Sequence, residues 1–242
     1  YSAGFAGLAI EGADNKALLA NLPQDNVKKV IGTYCTPVNI VNLLRAGGTP
    51  DAFSFLKIDI DGYDGPVLQS ILAAGIRPAI IQAEINQEIP FPFEFSVMYS
   101  DDYLPVYTNP FGTVMTGFYG MSFAYAARLA AAYGYYFVSS SMQYLVDVIL
   151  VRNDLAGLFG GNPSMDYDRL YEIYHSHPHK PPNYSHFGLT GRSASFTWRQ
   201  RSDYQILAHE IHLTLMQNCR AKHDEKILPF YFGIHPQAGL AT

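Results

Sequence analysis

Cysteine is almost missing from this chain. Cys35 and Cys219 are the only two in 242 residues, too few and too far apart for a disulfide framework or a zinc motif, and both read as reduced thiols. Basic clusters are also lacking: 16 Lys and Arg stand against 21 Asp and Glu, for a formal net charge of −5. The chain therefore has no bulk electrostatic reason to approach nucleic acid, whose phosphates need concentrated positive charge. No apolar run approaches the roughly 18 to 20 residues of a spanning helix, and nothing at the start resembles a signal peptide. A soluble protein without a transmembrane segment is expected. There is no internal repeat.

What is present is apolar sequence. At 48% hydrophobic and 15% charged, the chain can bury one substantial core with an appendage. Gly7 to Glu11 reads as a short buried strand, followed by Asp14 as a cap and a helix-prone run from Lys16 to Asn21. Val27 to Tyr34 is β-rich, Val38 to Arg45 is helical before Gly47-Gly48, and Phe53 to Ile60 is an apolar strand interrupted by Lys57. Pro66 at a first helical position, Val67, Leu68, Ile71 and Leu72 at helical spacing, and Gly75 as a stop give another helix before a strand over Ala79 to Ile85. Strands alternating with such helices imply parallel pairing with right-handed crossovers. The expected fold is α/β, a doubly wound, mostly parallel sheet.

Asn86 to Gly120 is rich in Pro, Phe, Tyr and Gly and reads as a long loop or lid. An Ala-rich helix over Phe123 to Tyr133 follows, ended by Gly134, and then strands over Tyr135 to Ser139 and Leu145 to Arg152 as an antiparallel hairpin. Beyond Leu155 the alternation stops. Gly160 to Arg201 has no sustained period and is expected to follow a surface without its own core. Tyr204 to Lys222 is helical in pattern, with Leu207, Ile211 and Leu215 as its buried stripe. Residues 1–156 are thus expected to form the α/β domain, and 157–242 a loop-rich extension ending in a helix.

In an open parallel sheet, ligands bind at the carboxyl ends of the strands. Acids end the strands here: Glu11, then Asp59 and Asp61, then Glu84. An acid at the end of the second strand of a nucleotide-binding sheet can accept hydrogen bonds from ribose hydroxyls, and a solvated acid is its plain alternative. For Asp59, Asp61 and Asp64 the alternative is a turn whose carboxylates cap the next helix, a role that suits Asp64 before Gly65-Pro66. Close acids can also hold a divalent cation, but no diagnostic spacing marks one, and no metal is assigned.

The segment Leu56-Lys57-Ile58-Asp59-Ile60-Asp61-Gly62-Tyr63-Asp64 resembles the Leu-Lys-Ile-Asp-Val-Glu-Gly-x-Glu signature of FkbM-type methyltransferases, with aspartates at Asp61 and Asp64 where the family usually has glutamates. The flanks agree. Gly7 to Glu11 resembles the family's second strand, Val38 to Leu44 the segment before the signature, Ile80 to Asn86 the following strand, and Tyr119 to Ser122, Gly134-Tyr135 and Leu150 to Leu155 its closing elements. The resemblance covers Gly7 to Leu155. It implies a Rossmann-like methyltransferase sheet, S-adenosylmethionine as cofactor, and methyl transfer to a hydroxyl of a small molecule or glycan. It places Glu11 and Asp59 at the cofactor, Asp59 and Asp61 at the reacting groups, with Asp59 as candidate base, and Glu84 and Asn86 on the substrate or lid side.

The family's first strand and its Gly-Ala-x-x-Gly turn do not precede Gly7. In the family's sheet that strand is central, between the strands ending here at Glu11 and Asp59. The expectation is an upstream segment, and a central slot filled by a strand from outside Tyr1 to Thr242. With a segment removed, the cytoplasm and an organelle both stay open as locations. A rival reading is a non-catalytic methyltransferase-like subunit docked in a larger assembly through residues 160–242, where Tyr167 to Phe196 is dense in aromatics. His209-Glu210-Ile211-His212 lacks the i, i+4 histidines of a metalloprotease helix and reads as an ordinary helix face. His175, His177, His179 and His186 lie among prolines that favour an extended segment over a metal site.

Overall fold

The computed structural model describes residues 6–12, 27–86, 89–101, 118–140, 147–160, 162–175, 208–209, 211–217, 219 and 229–236. In chain order the strands are β1 (Gly7–Glu11), β2 (Val27–Ile31), β3 (Phe55–Ile58), β4 (Ile80–Glu84), β5 (Phe93–Val97), β6 (Tyr135–Ser140), β7 (Asp147–Arg152) and β8 (Phe230–Ile234). The helices are α1 (Ile40–Ala46), α2 (Asp64–Ala73), α3 (Phe123–Tyr133), α4 (Ala156–Phe159) and α5 (Tyr167–His175). Residues 208–209, 211–217 and 219 are also helical. No helix among the described residues is long and apolar enough to cross a membrane.

The fold is mixed α/β. β3 and β4 pair in parallel, and antiparallel β7 and β6 continue that sheet in the order β3-β4-β7-β6. β1 and β2 form a separate parallel pair, in register from Gly7 opposite Val27 to Glu11 opposite Ile31. β1 and β3 are not hydrogen-bonded neighbours. The alternation of elements, the parallel pairings and the closing antiparallel hairpin follow the pattern read from the sequence. The expected helix from Lys16 to Asn21 lies outside the described residues.

Local signals explain where α3 starts and stops. Buried Ser122 accepts from the backbone N–H of Tyr125 at 3.2 Å, and Gly134 closes the helix in the left-handed conformation with φ of 76°. The same Ser122 hydroxyl donates to Phe93 O at 2.8 Å and accepts from Phe95 N at 2.9 Å, tying the helix start to β5. α2 packs Val67, Leu68, Ile71 and Leu72 into the core at helical spacing.

Two expectations are corrected. The stretch from Asn86 to Gly120 contains β5, whose five residues are all buried, so it is not loop throughout. Its Phe93, Phe95 and Val97 need burial, and β8 supplies the pairing, with Phe95 opposite Phe232. The stretch from Gly160 to Arg201 contributes α5, which puts Leu170 and Tyr174 into the same core as the sheet. Residues 176–201 lie outside the described set. In the C-terminal helix Ile211, Leu215 and Cys219 are fully buried, spaced by four on one face, and join that core. Leu207 lies outside the described residues. The chain after this helix returns as a strand, β8, which binds the extension to the domain.

Candidate carboxylate site

β3 and β4 run in parallel, so their carboxyl ends lie side by side, and each ends in acids. Carboxylate oxygens of Asp59, Asp61 and Glu84 come within 4.8 Å of one another. Asp59 and Asp61 are exposed and Glu84 is partly buried. Lys57, alternating with Asp59 on the same strand end, pairs with it at 2.8 Å, and both side chains are nearly half exposed, a geometry in which an ion pair contributes little.

A tight turn presents these groups. Asp61 adopts φ of 54°, in the left-handed region that aspartate tolerates better than most residues. Fully buried Asp64 fixes the turn: its carboxylate accepts from Ile60 N at 3.1 Å and Gly62 N at 3.0 Å. Asp64 thus ties back to the turn before it, whereas the sequence suggested a cap on the helix after it. The difference arises because α2 begins at Asp64 itself. The next residue, Gly65, lets the helix start lie against β5, since a Cβ there would sit 2.4 Å from Ser96 Oγ.

Burial and mutual repulsion dominate the electrostatics. Desolvation, with Asp64, Asp59, Asp61 and Asp147 adding like charge, pushes Glu84 from 4.5 up to about 8. Its Oε2 is buried without a hydrogen-bond partner among the described residues. Asp64 is pushed by burial up to about 7, against the pull of the amides it accepts from. Burial first, and Asp59 second, raise Asp61 as well. Burial and its acidic neighbours therefore favour the protonated form of Glu84 beside the Asp59 and Asp61 carboxyls, a pairing able to donate a proton at one atom and accept hydrogen bonds at others.

Glu11 stands at the carboxyl end of β1, half-buried. The ring of Tyr34 lies across Gly12, where a Cβ would fall 2.5 Å from Cδ1. Asn86 is fully buried, donating from Nδ2 to Tyr119 O at 3.0 Å and from its backbone to Met121 O at 2.7 Å. It positions the returning chain at the end of β4. Asp147 escaped the sequence reading. It lies opposite Glu84 on β7 and accepts from Gln82 Nε2 at 2.9 Å. Extending the expected hairpin register by one strand would have found it.

Compared with protein-family models, with curated proteins and with solved structures, the chain matches none of them.

Proposed function

We propose that the chain carries the acidic half of a methyltransferase site, in which S-adenosylmethionine would be held from the β1 side by Glu11 and a hydroxyl acceptor, on a small molecule or glycan, would sit against Asp59 and Asp61. The observation that carries this reading is the meeting of Asp59, Asp61 and Glu84 at the carboxyl ends of adjacent parallel strands, the place where open α/β sheets bind ligands.

The residues present fit the ribose and acceptor sides of such a pocket. Glu11 can accept from ribose hydroxyls, and the cofactor, when bound, supplies an activated methyl group. The glycine turn that would form the pocket floor is not among residues 1–12. The finer assignment of the fold as a Rossmann-like methyltransferase sheet belongs to this proposal too, and it needs one more strand between β1 and β3. Among the described residues β1 pairs only with β2, and β3 only with β4. Among the described residues, β1 and β3 therefore each have one edge without a strand partner.

The chain's own part in transfer is placement and proton handling. Asp59 would hold the acceptor hydroxyl and take its proton, with Glu84 keeping a proton of its own beside it. The test is methyl transfer by the natural full-length protein and by Asp59→Asn against a panel of hydroxyl acceptors. Turnover should fall by about a hundredfold or more in the variant, and by more than cofactor affinity falls. Normal turnover in Asp59→Asn defeats the base assignment.

A further inference from the structure

β8 is held on β5 by a polar corner that the proposed chemistry does not use. Glu94, on β5, is 1% exposed. Its Oε2 accepts from the Tyr231 hydroxyl of β8 at 2.9 Å and lies 3.4 Å from Arg128 Nε of α3. The Arg128 guanidinium sits between two rings, 4.6 Å from the centroid of Tyr125 on its own helix and 4.2 Å from that of Tyr231. Gly233, two residues along β8 and opposite Glu94, makes this fit, because a Cβ there would meet the Tyr231 hydroxyl at 2.9 Å. On the other side, the His212 ring packs on Phe230 and Phe232 with centroids 5.5 and 5.7 Å away.

The corner is incompletely satisfied. Among the described residues, Glu94 Oε1 is buried without a hydrogen-bond partner, and buried Arg128 Nε has the 3.4 Å ion pair with Glu94 but no hydrogen bond. β8 is half-buried throughout while β5 is wholly buried, which makes β8 the weaker member of the ladder. β5 is also wired to the acid turn. Val97 N donates to Gly120 O at 3.0 Å, Gly120 N to Gly62 O at 3.0 Å, and Gly62 N to the Asp64 carboxylate at 3.0 Å. Gly65, at the end of that turn, rests on Ser96 and Tyr125.

We propose that β8 is a strap: its docking through Tyr231, Glu94 and Arg128 holds the Asp61–Asp64 turn in place, and its release loosens that turn while the β3-β4-β7-β6 sheet stays folded. The C-terminal segment then controls the geometry of the carboxylate site from a distance, through β5 and Gly120.

Hydrogen exchange followed by mass spectrometry on the full chain tests this. Tyr231→Phe removes one hydroxyl, and Gly233→Val displaces it by another route, so the two variants check each other if either folds poorly. Exchange in 93–97, 230–234 and 60–65 should accelerate together, by about tenfold or more, with 80–84 and 147–152 unchanged. The strap is overturned if 60–65 keeps its native rate while β8 opens, if neither variant changes β8, or if all segments accelerate equally.

Discussion

Glu84 and Asp147 stand directly opposite each other as the last pair of the β4–β7 ladder. Like charges in that relationship repel. The pair is tolerated because Gln82 holds Asp147 and because burial, with neighbouring acids, raises the Glu84 carboxyl to about 8, favouring its protonated form. A proton is therefore part of the folded site.

That proton gives stability a definite pH dependence. The folded-state value of Glu84 lies above its ordinary 4.5, so its contribution is fully present below about pH 4.5 and is lost as pH rises through about 8. Asp64 acts in the same sense through about 7. Denaturant unfolding between pH 5 and 9 should show Glu84→Gln gaining on the native chain as pH rises, by on the order of a few kcal/mol. A gap that is constant or shrinks with pH contradicts the assignment.

The contact between α2 and β5 makes Gly65 sensitive. Gly65→Ala should cost about 1 to 3 kcal/mol, because the new Cβ meets Ser96 Oγ in a packed interior. The same substitution in a Ser96→Ala background should cost less. Equal costs in the two backgrounds, measured as a double-mutant cycle, would remove this contact from the account.

Ser122 serves β5 and α3 at once, with one hydroxyl in three hydrogen bonds and no exposure. Ser122→Ala removes the hydroxyl's bonds to the Phe93 carbonyl and the Phe95 amide and leaves the helix uncapped, so a loss of roughly 2 to 4 kcal/mol is expected. A change under about 1 kcal/mol in denaturant unfolding contradicts the shared role.

The C-terminal helix distinguishes packing of the extension on its own domain from docking through it. Ile211 and Leu215 are buried in the chain's own core, so each change to Ala should destabilise the isolated chain by about 2 to 5 kcal/mol. Were this stripe reserved for a partner, the isolated variants would unfold at the native denaturant midpoint.

Much of the central order was legible because its signals are local. Gly134 ends α3, Gly47 and Gly75 follow α1 and α2, and the acids Asp59, Asp61 and Glu84 stand at the strand ends where they were read. β5 was hidden because Phe-Glu-Phe-Ser-Val lies among prolines and its partner is distant: Glu94 meets Tyr231 137 residues away. Phe93, Phe95 and Val97 do alternate with Glu94 and Ser96 at strand period, but the run is only five residues long and sits in a stretch whose Pro, Tyr and Gly content reads as loop. The left-handed Asp61 and the backward reach of Asp64 were likewise invisible, since both depend on where β3 stops and α2 starts. Asp147 fell between them, needing the β4–β7 register before it could be placed beside Glu84.

Calorimetric titration of the natural full-length protein with S-adenosylmethionine tests the central claim most directly. Saturable binding is expected, weakened in Glu11→Ala by roughly 1.5 to 3 kcal/mol, the loss of charge-assisted hydrogen bonds to the ribose. Absence of binding, or an affinity that Glu11→Ala leaves unchanged, contradicts the placement of the cofactor at the end of β1.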